Sequence, residues 1–192
     1  MKTFNIYMTG VGGQGIGLLS QTLLRAIDYA GVKAIAVDTH GLAQRGGVVV
    51  SRIRCGEAVH SPLIMKKSAD LVLGMEIHEA MRGLVTAGKE GGTLVFLDVS
   101  WQPLPVRLGQ NEEIPFEDIL DACQTTGVIP IKVDIGRLKD SRMQNMALLG
   151  VIAGRKLIPY TEPHHFFNAL DDLLAGRVLE ENKRLFKEYM SR

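Results

Sequence analysis

At 192 residues and 46% hydrophobic, the chain is long enough to bury a core of its own and fits one domain. Its 22 basic and 21 acidic side chains nearly cancel, so no broad charged field advertises nucleic acid or an anionic membrane. Cys55 and Cys123 are isolated and far apart, which excludes a four-thiolate iron–sulfur cluster held by this chain alone; each reads as a buried thiol. The N-terminal stretch breaks at Gly10 before any secretory signal could form, and no segment approaches the roughly 20 apolar residues that span a bilayer. A cytoplasmic location is expected.

Phe4 to Met8 reads as a strand and Gly10 to Gly15 as a glycine turn. From Ile16 to about Ala30, Ile16, Leu19, Leu23 and Ile27 recur at helical spacing and Gly31 stops the helix. Ala34 to Asp38 is continuously apolar until its last residue, the pattern of a parallel strand covered on both faces, which completes a β-α-β unit. A further strand, Val48 to Arg54, then arrives where a helix is due. With Gly56 as a turn and Ala58-Val59-His60 as the returning partner, it reads as an inserted β-ribbon with Arg52 and Arg54 on one face.

The alternation resumes with a strand at Asp70 to Met75, a helix from Glu76 to about Leu84 and a strand at Thr93 to Asp98. Pro103, Pro105 and Pro115 mark Trp101 to Pro115 as a loop. Phe116 to Cys123 reads as a helix, Val128 to Val133 as a strand, and Arg142 to Ala153 as a helix ended by Gly154. Pro163 opens another helix near its first position, and the charged tail from Val178 to Met190 has an apolar edge of Leu185, Phe186, Tyr189 and Met190. The expected architecture is a single α/β domain over residues 1–192, a doubly wound, mostly parallel, Rossmann-like sheet with an inserted β-ribbon. Residues from about 155 to 192 form a C-terminal helical extension of it.

Gly10, Gly12 and Gly15 have the G-x-G-x-x-G spacing that brings backbone N–H groups up to an anion at a helix N-terminus, and Gly13 and Gln14 complete the turn. Asp38 ends the next strand about 20 residues on, where a dinucleotide site carries its ribose-binding acid. The motif therefore admits an NAD(P)- or FAD-binding oxidoreductase, and equally a plain strand-to-helix turn that serves close packing.

A nicotinamide enzyme would also need a catalytic group, and His40 is the best placed; His60 and His78 are weaker. His164 and His165 are adjacent and expected to point apart, unlike the i, i+4 pair of a helical zinc motif. Asp70, Glu76 and Glu79 resemble an acidic cluster, but Glu76 and Glu79 fall in a first helical turn, where capping is the commoner use. The nucleophile elbow and the P-loop signature are absent. No catalytic or metal-ligating residue stands out, and a non-catalytic scaffolding module remains open, with Met65, Met75, Met81, Met143 and Met146 as core fillers.

Five stretches in order carry a resemblance: Gly10 to Gly15, Gly41-Leu42-Ala43-Gln44-Arg45-Gly46-Gly47, Ala69-Asp70, Glu76-Ile77-His78-Glu79-Ala80 and Asn145-Met146-Ala147-Leu148-Leu149-Gly150. Up to about Gly154 the chain resembles the gamma-type subunit or domain of the 2-oxoacid:ferredoxin oxidoreductases, and most closely the small subunit of the indolepyruvate branch. The resemblance implies an accessory subunit that binds no cofactor by itself. Thiamine diphosphate, Mg and iron–sulfur clusters belong to a larger partner, which decarboxylates a 2-oxoacid, passes electrons to ferredoxin and transfers the acyl group to coenzyme A. For this chain it leaves a ligand or phosphate edge of Gly10, Gly12, Gly13, Gln14, Gly15, Arg45, Gly46 and Gly47, with Arg45 as a mobile guanidinium for a phosphate or carboxylate. Separated from its partner, such a surface can self-associate into a homodimer.

Overall fold

The computed structural model describes residues 2–39, 47–100, 106, 108–110, 112–136 and 143–192. In chain order they form β1 (Phe4–Val11), α1 (Ile16–Tyr29), β2 (Ala34–Asp38), β3 (Val48–Cys55), β4 (Ala69–Gly74), α2 (Ile77–Ala87) and β5 (Gly88–Leu97). There follow α3 (Phe116–Thr126), β6 (Ile129–Val133), α4 (Gln144–Gly154), α5 (Pro163–Leu173) and α6 (Gly176–Met190). Apart from the returning strand at Ala58 to His60, the expected elements are present with shifted ends, the largest at β5, which begins at Gly88 rather than Thr93. His40, Arg45, Gly46, Trp101, Pro103, Pro105 and Arg142 lie outside the described residues.

The six strands form one sheet in the order β2-β3-β1-β4-β5-β6. β1, β4, β5 and β6 are mutually parallel, while β3 runs antiparallel to both β1 and β2. This corrects the expected ribbon, because Ala58 to His60 forms no strand and β3 is a full member of the sheet. Ser51, Ile53 and Cys55 of β3 are buried, so a solvent ribbon would have stranded them; between β1 and β2 they join the core. Arg52 and Arg54 do share the opposite face, with Arg52 5.4 Å from the Tyr7 ring centre and the Arg54 Nε–H donating to Asn5 Oδ1 at 3.0 Å.

Alternation along the strands divides the core into two. Ile6 and Met8 of β1, Ile53, Leu71, Leu73, Val95 and Leu97 face α1, α4, α5 and α6. Tyr7, Val72, Leu94 and Phe96 face α2 and α3. Helix α4 is apolar on every side and buried from Gln144 to Ala153, which requires protein all round it. Its glycines allow this: a Cβ on Gly150 would stand 2.6 Å from the Phe186 carbonyl oxygen, and one on Gly154 2.2 Å from that of Met190, so α6 lies directly against α4.

Candidate functional site

Strands β1 and β4 are parallel neighbours whose helices leave to opposite faces, α1 to one and α2 to the other. At such a switch point the loops diverge and leave a crevice at the carboxyl end of the sheet. The first glycine turn forms one wall and Gly74-Met75-Glu76 the other.

Gly10 and Gln14 turn inward and close the floor. The Gln14 side chain is buried; its Oε1 accepts the Val11 N–H at 2.8 Å and its Nε2–H donates to the Met75 carbonyl at 2.8 Å, so one amide ties the two walls together. A Cβ on Gly10 would meet Met75 Cβ at 2.7 Å, Ile16 Cδ1 at 2.8 Å and Gln14 Oε1 at 2.9 Å. The outer rim differs. Gly13 is exposed with φ 102° and Gly15 caps α1 with φ 79°, a conformation that glycine adopts at no steric cost. The Gly12 N–H donates to the Gly47 carbonyl at 2.9 Å, which brings the end of the second glycine-rich stretch onto the turn.

Among the described residues no side chain caps α1, and its first turn holds no acid, although the first N–H groups of a helix lack partners within it. A second helix start reaches the same place. Asn145, in the first turn of α4, donates from Nδ2 to the Gly15 carbonyl at 3.3 Å. Its Oδ1 and the Oε1 of neighbouring Gln144 are buried without a hydrogen-bond partner, an expensive state that invites a donor. Asp38, by contrast, is turned to the protein: its Oδ1 accepts from Ser20 Oγ at 3.1 Å and from Ser51 Oγ.

The α2 wall carries its own charge. Glu76 is the N-cap and accepts the Glu79 N–H, the capping role expected of it. His78 accepts the Ile114 N–H on Nε2 at 3.2 Å, which leaves Nδ1 to donate to Glu76 Oε2 at 3.1 Å. Glu79 is fully buried, with Thr9 Oγ1 donating to Oε2 at 2.6 Å and Arg82 Nε donating to Oε1 at 3.1 Å. Desolvation outweighs these donors and holds its carboxyl above the ordinary glutamate value.

The model of the family described as pyruvate ferredoxin/flavodoxin oxidoreductase matches residues 5–191. The chain belongs to this family. It is 31% identical over 189 residues to the indolepyruvate oxidoreductase subunit IorB of Methanothermobacter thermautotrophicus, covering 96% of this chain and 95% of that one. It is 30% identical to the subunit of the same name from Archaeoglobus fulgidus, over 95% and 92% of the two chains. The gamma subunit of keto/oxoacid ferredoxin oxidoreductase from Geobacter sulfurreducens has the same fold, with a TM-score of 0.67 at 17% identity over 98% of this chain and 96% of that one. So does part of the 2-oxoglutarate:ferredoxin oxidoreductase of Magnetococcus marinus, with a TM-score of 0.72 at 19% identity over all of this chain and 31% of the other.

As a member of the family, the chain places its motif stretches unevenly, and Gly41 to Gly46 of the second glycine-rich stretch lie outside the described residues. The glycine turn, Glu76 and Asn145 converge on the switch point, Met146 to Gly150 run on into the core, and Asp70 accepts from Lys89 Nζ at 2.7 Å and from the Asn5 N–H at 2.9 Å. Asn145 and Gln144 are the site residues that residue-by-residue reading missed; the only signal was that Asn145 begins a motif stretch. His60 is exposed, and the His164 and His165 rings do not point apart but approach to 4.0 Å between centres, with His165 Nδ1 accepting the Glu162 N–H. Burial pushes the thiols of Cys55 and Cys123 up to about 11, so neither is nucleophilic at neutral pH. Among the described residues no group of three or more His, Cys, Asp or Glu is placed to hold a metal, and no helix is long and apolar enough to cross a membrane.

Proposed function

We propose that the chain is the accessory subunit of a cytoplasmic, heteromeric indolepyruvate:ferredoxin oxidoreductase, inactive by itself. Its larger partner holds thiamine diphosphate, Mg and iron–sulfur clusters, and the complex converts the 2-oxoacid to an acyl-coenzyme A with electrons delivered to ferredoxin. The chemistry is the cofactors'; this subunit contributes shape and binding. It offers the rim of the α1 turn as a seat for a phosphate of coenzyme A, with backbone N–H groups of Gly15 to Leu18 as donors and Arg45 as the counter-charge.

One observation supports the reading: among the described residues the α1 N-terminus opens without a side-chain cap at the switch point, and Asn145, whose Oδ1 is buried and unpartnered, reaches the Gly15 carbonyl beside it. A ligand with both phosphates and amide or hydroxyl donors answers both needs. A free-standing dinucleotide enzyme is less well served, since Asp38 already accepts from two serines. The test starts with the native chain pulled from anaerobic extract. A larger co-purifying chain with thiamine diphosphate and iron–sulfur absorbance supports the reading, and a lone chain that retains NAD(H) overturns it. In the complex, Arg45→Ala should spare assembly and raise the KM for coenzyme A several-fold. Unchanged kinetics would remove Arg45 from the site.

A further inference from the structure

Among the described residues the sheet ends in two edge strands of different construction. β6 holds Pro130, which has no N–H to offer, and the exposed Lys132, both of which blunt an edge. β2 holds neither. It runs Ala-Ile-Ala-Val-Asp, and all five residues are half-buried.

The pairing of β2 with β3 shows where its backbone groups go. The Thr39 N–H donates to the Val50 carbonyl and the Gly56 N–H to that of Lys33, so Lys33, Ile35, Val37 and Thr39 turn toward β3 by antiparallel alternation. Ala34 and Ala36 turn their N–H and C=O groups outward. On one face Ala34 and Ala36 pack toward α1; on the other, Ile35 and Val37 lie in line with Arg54 and Arg52, while α2 and α3 cover β1, β4, β5 and β6.

We propose that β2 is a self-pairing edge, at which a second copy of this chain adds its own Ala34–Asp38 antiparallel about a two-fold axis through Ala36, joining two six-stranded sheets into one. The register is self-complementary. Ala36 meets Ala36 as a hydrogen-bonded pair, Ile35 lies opposite Val37 of the second copy, and Lys33 lies opposite Thr39, so no like charges oppose. Beside the edge, Leu24, Arg25, Asp28, Val32 and Ala34 line a groove of about 360 Å³. The two-fold sets α1 antiparallel to its mate, and Arg25 on this rim is already paired with Asp172 of its own chain at 2.9 Å.

Sedimentation velocity of the full chain across the micromolar range tests this, together with oxidation of Ala36→Cys. In a hydrogen-bonded antiparallel pair the two Cα atoms stand about 5.5 Å apart, within disulfide reach. Expected are a concentration-dependent dimer, a disulfide-linked dimer of Ala36→Cys, and a shift to monomer in Ile35→Lys/Val37→Lys with the thermal transition retained. If the double variant fails to fold, the Ala36→Cys cross-link decides alone. A chain that stays monomeric throughout, or a dimer in which Ala36→Cys does not cross-link, overturns the proposal. So does exclusive linkage of Ala36→Cys to a different protein in the native complex.

Discussion

Strands β1 and β4 lie side by side and each hands the chain to a helix, yet the two helix starts differ in every polar group. α2 begins with Glu76 on the Glu79 N–H, Glu79 in its first turn and His78 bound to Glu76, so its partial positive charge is met from within. α1 begins with Gly15 and no acid and, among the described residues, no side-chain cap, and Asn145 Nδ2 donates to the Gly15 carbonyl there. The same backbone problem is solved internally in one case and left to a visitor in the other. The difference marks the α2 wall as self-sufficient, and it is the reason the proposal seats the anion at the α1 rim.

The largest effect is expected where the two walls touch. Gly10→Val would place a Cβ under 3.0 Å from Met75 Cβ, Ile16 Cδ1 and Gln14 Oε1, and should cost about 3 kcal/mol of overpacking strain, read by denaturant unfolding. Next comes the self-sufficient start: Glu76→Ala leaves the Glu79 N–H and His78 Nδ1 without their acceptor and should cost about 2 kcal/mol. If Glu76→Ala instead lowered coenzyme A affinity with stability intact, the division of labour between the walls would be wrong.

The sequence showed the glycine turn, the helix-capping acids and the parallel strands because each rests on a local pattern: spacing, first-turn charge or an apolar run. β3 was legible as a strand but not in its partners. Gly56 marks a turn equally well for a returning ribbon and for a strand locked between β1 and β2, and only the burial of Ser51, Ile53 and Cys55 decides. The role of Asn145 was invisible for a similar reason. Its contact with Gly15 joins residues 130 apart in sequence, and the motif stretch that Asn145 begins does not say what it touches. Gln14 was legible as an amide in the turn, but its use as a tie to Met75 depends on how closely β4 approaches β1.

A smaller, pH-dependent effect follows from Glu79. Its native carboxyl binds its proton more tightly than in the unfolded chain, because desolvation outweighs Thr9 and Arg82. The stability it contributes is therefore fully present below the ordinary value near 4.5 and is lost as pH rises through the raised native value. Glu79→Gln stays neutral, so its melting temperature relative to the parent should climb over that same window. A difference that stays flat with pH would show that the Thr9 and Arg82 donors fully offset burial.

The smallest effect on stability is also the sharpest on function. Gly17 lies in the first turn of α1, exposed, with nothing within 4 Å of where a Cβ would stand. Gly17→Glu would give α1 the acid that α2 already has. Better helix propensity and a favourable dipole should raise stability by about 0.5 kcal/mol. The same carboxylate would repel a phosphate at the rim, so the KM for coenzyme A in the complex should rise while the melting temperature does not fall. Opposite movement of stability and affinity is what an N-terminus left open for an anion requires, since a turn built only for packing would gain the stability and lose nothing.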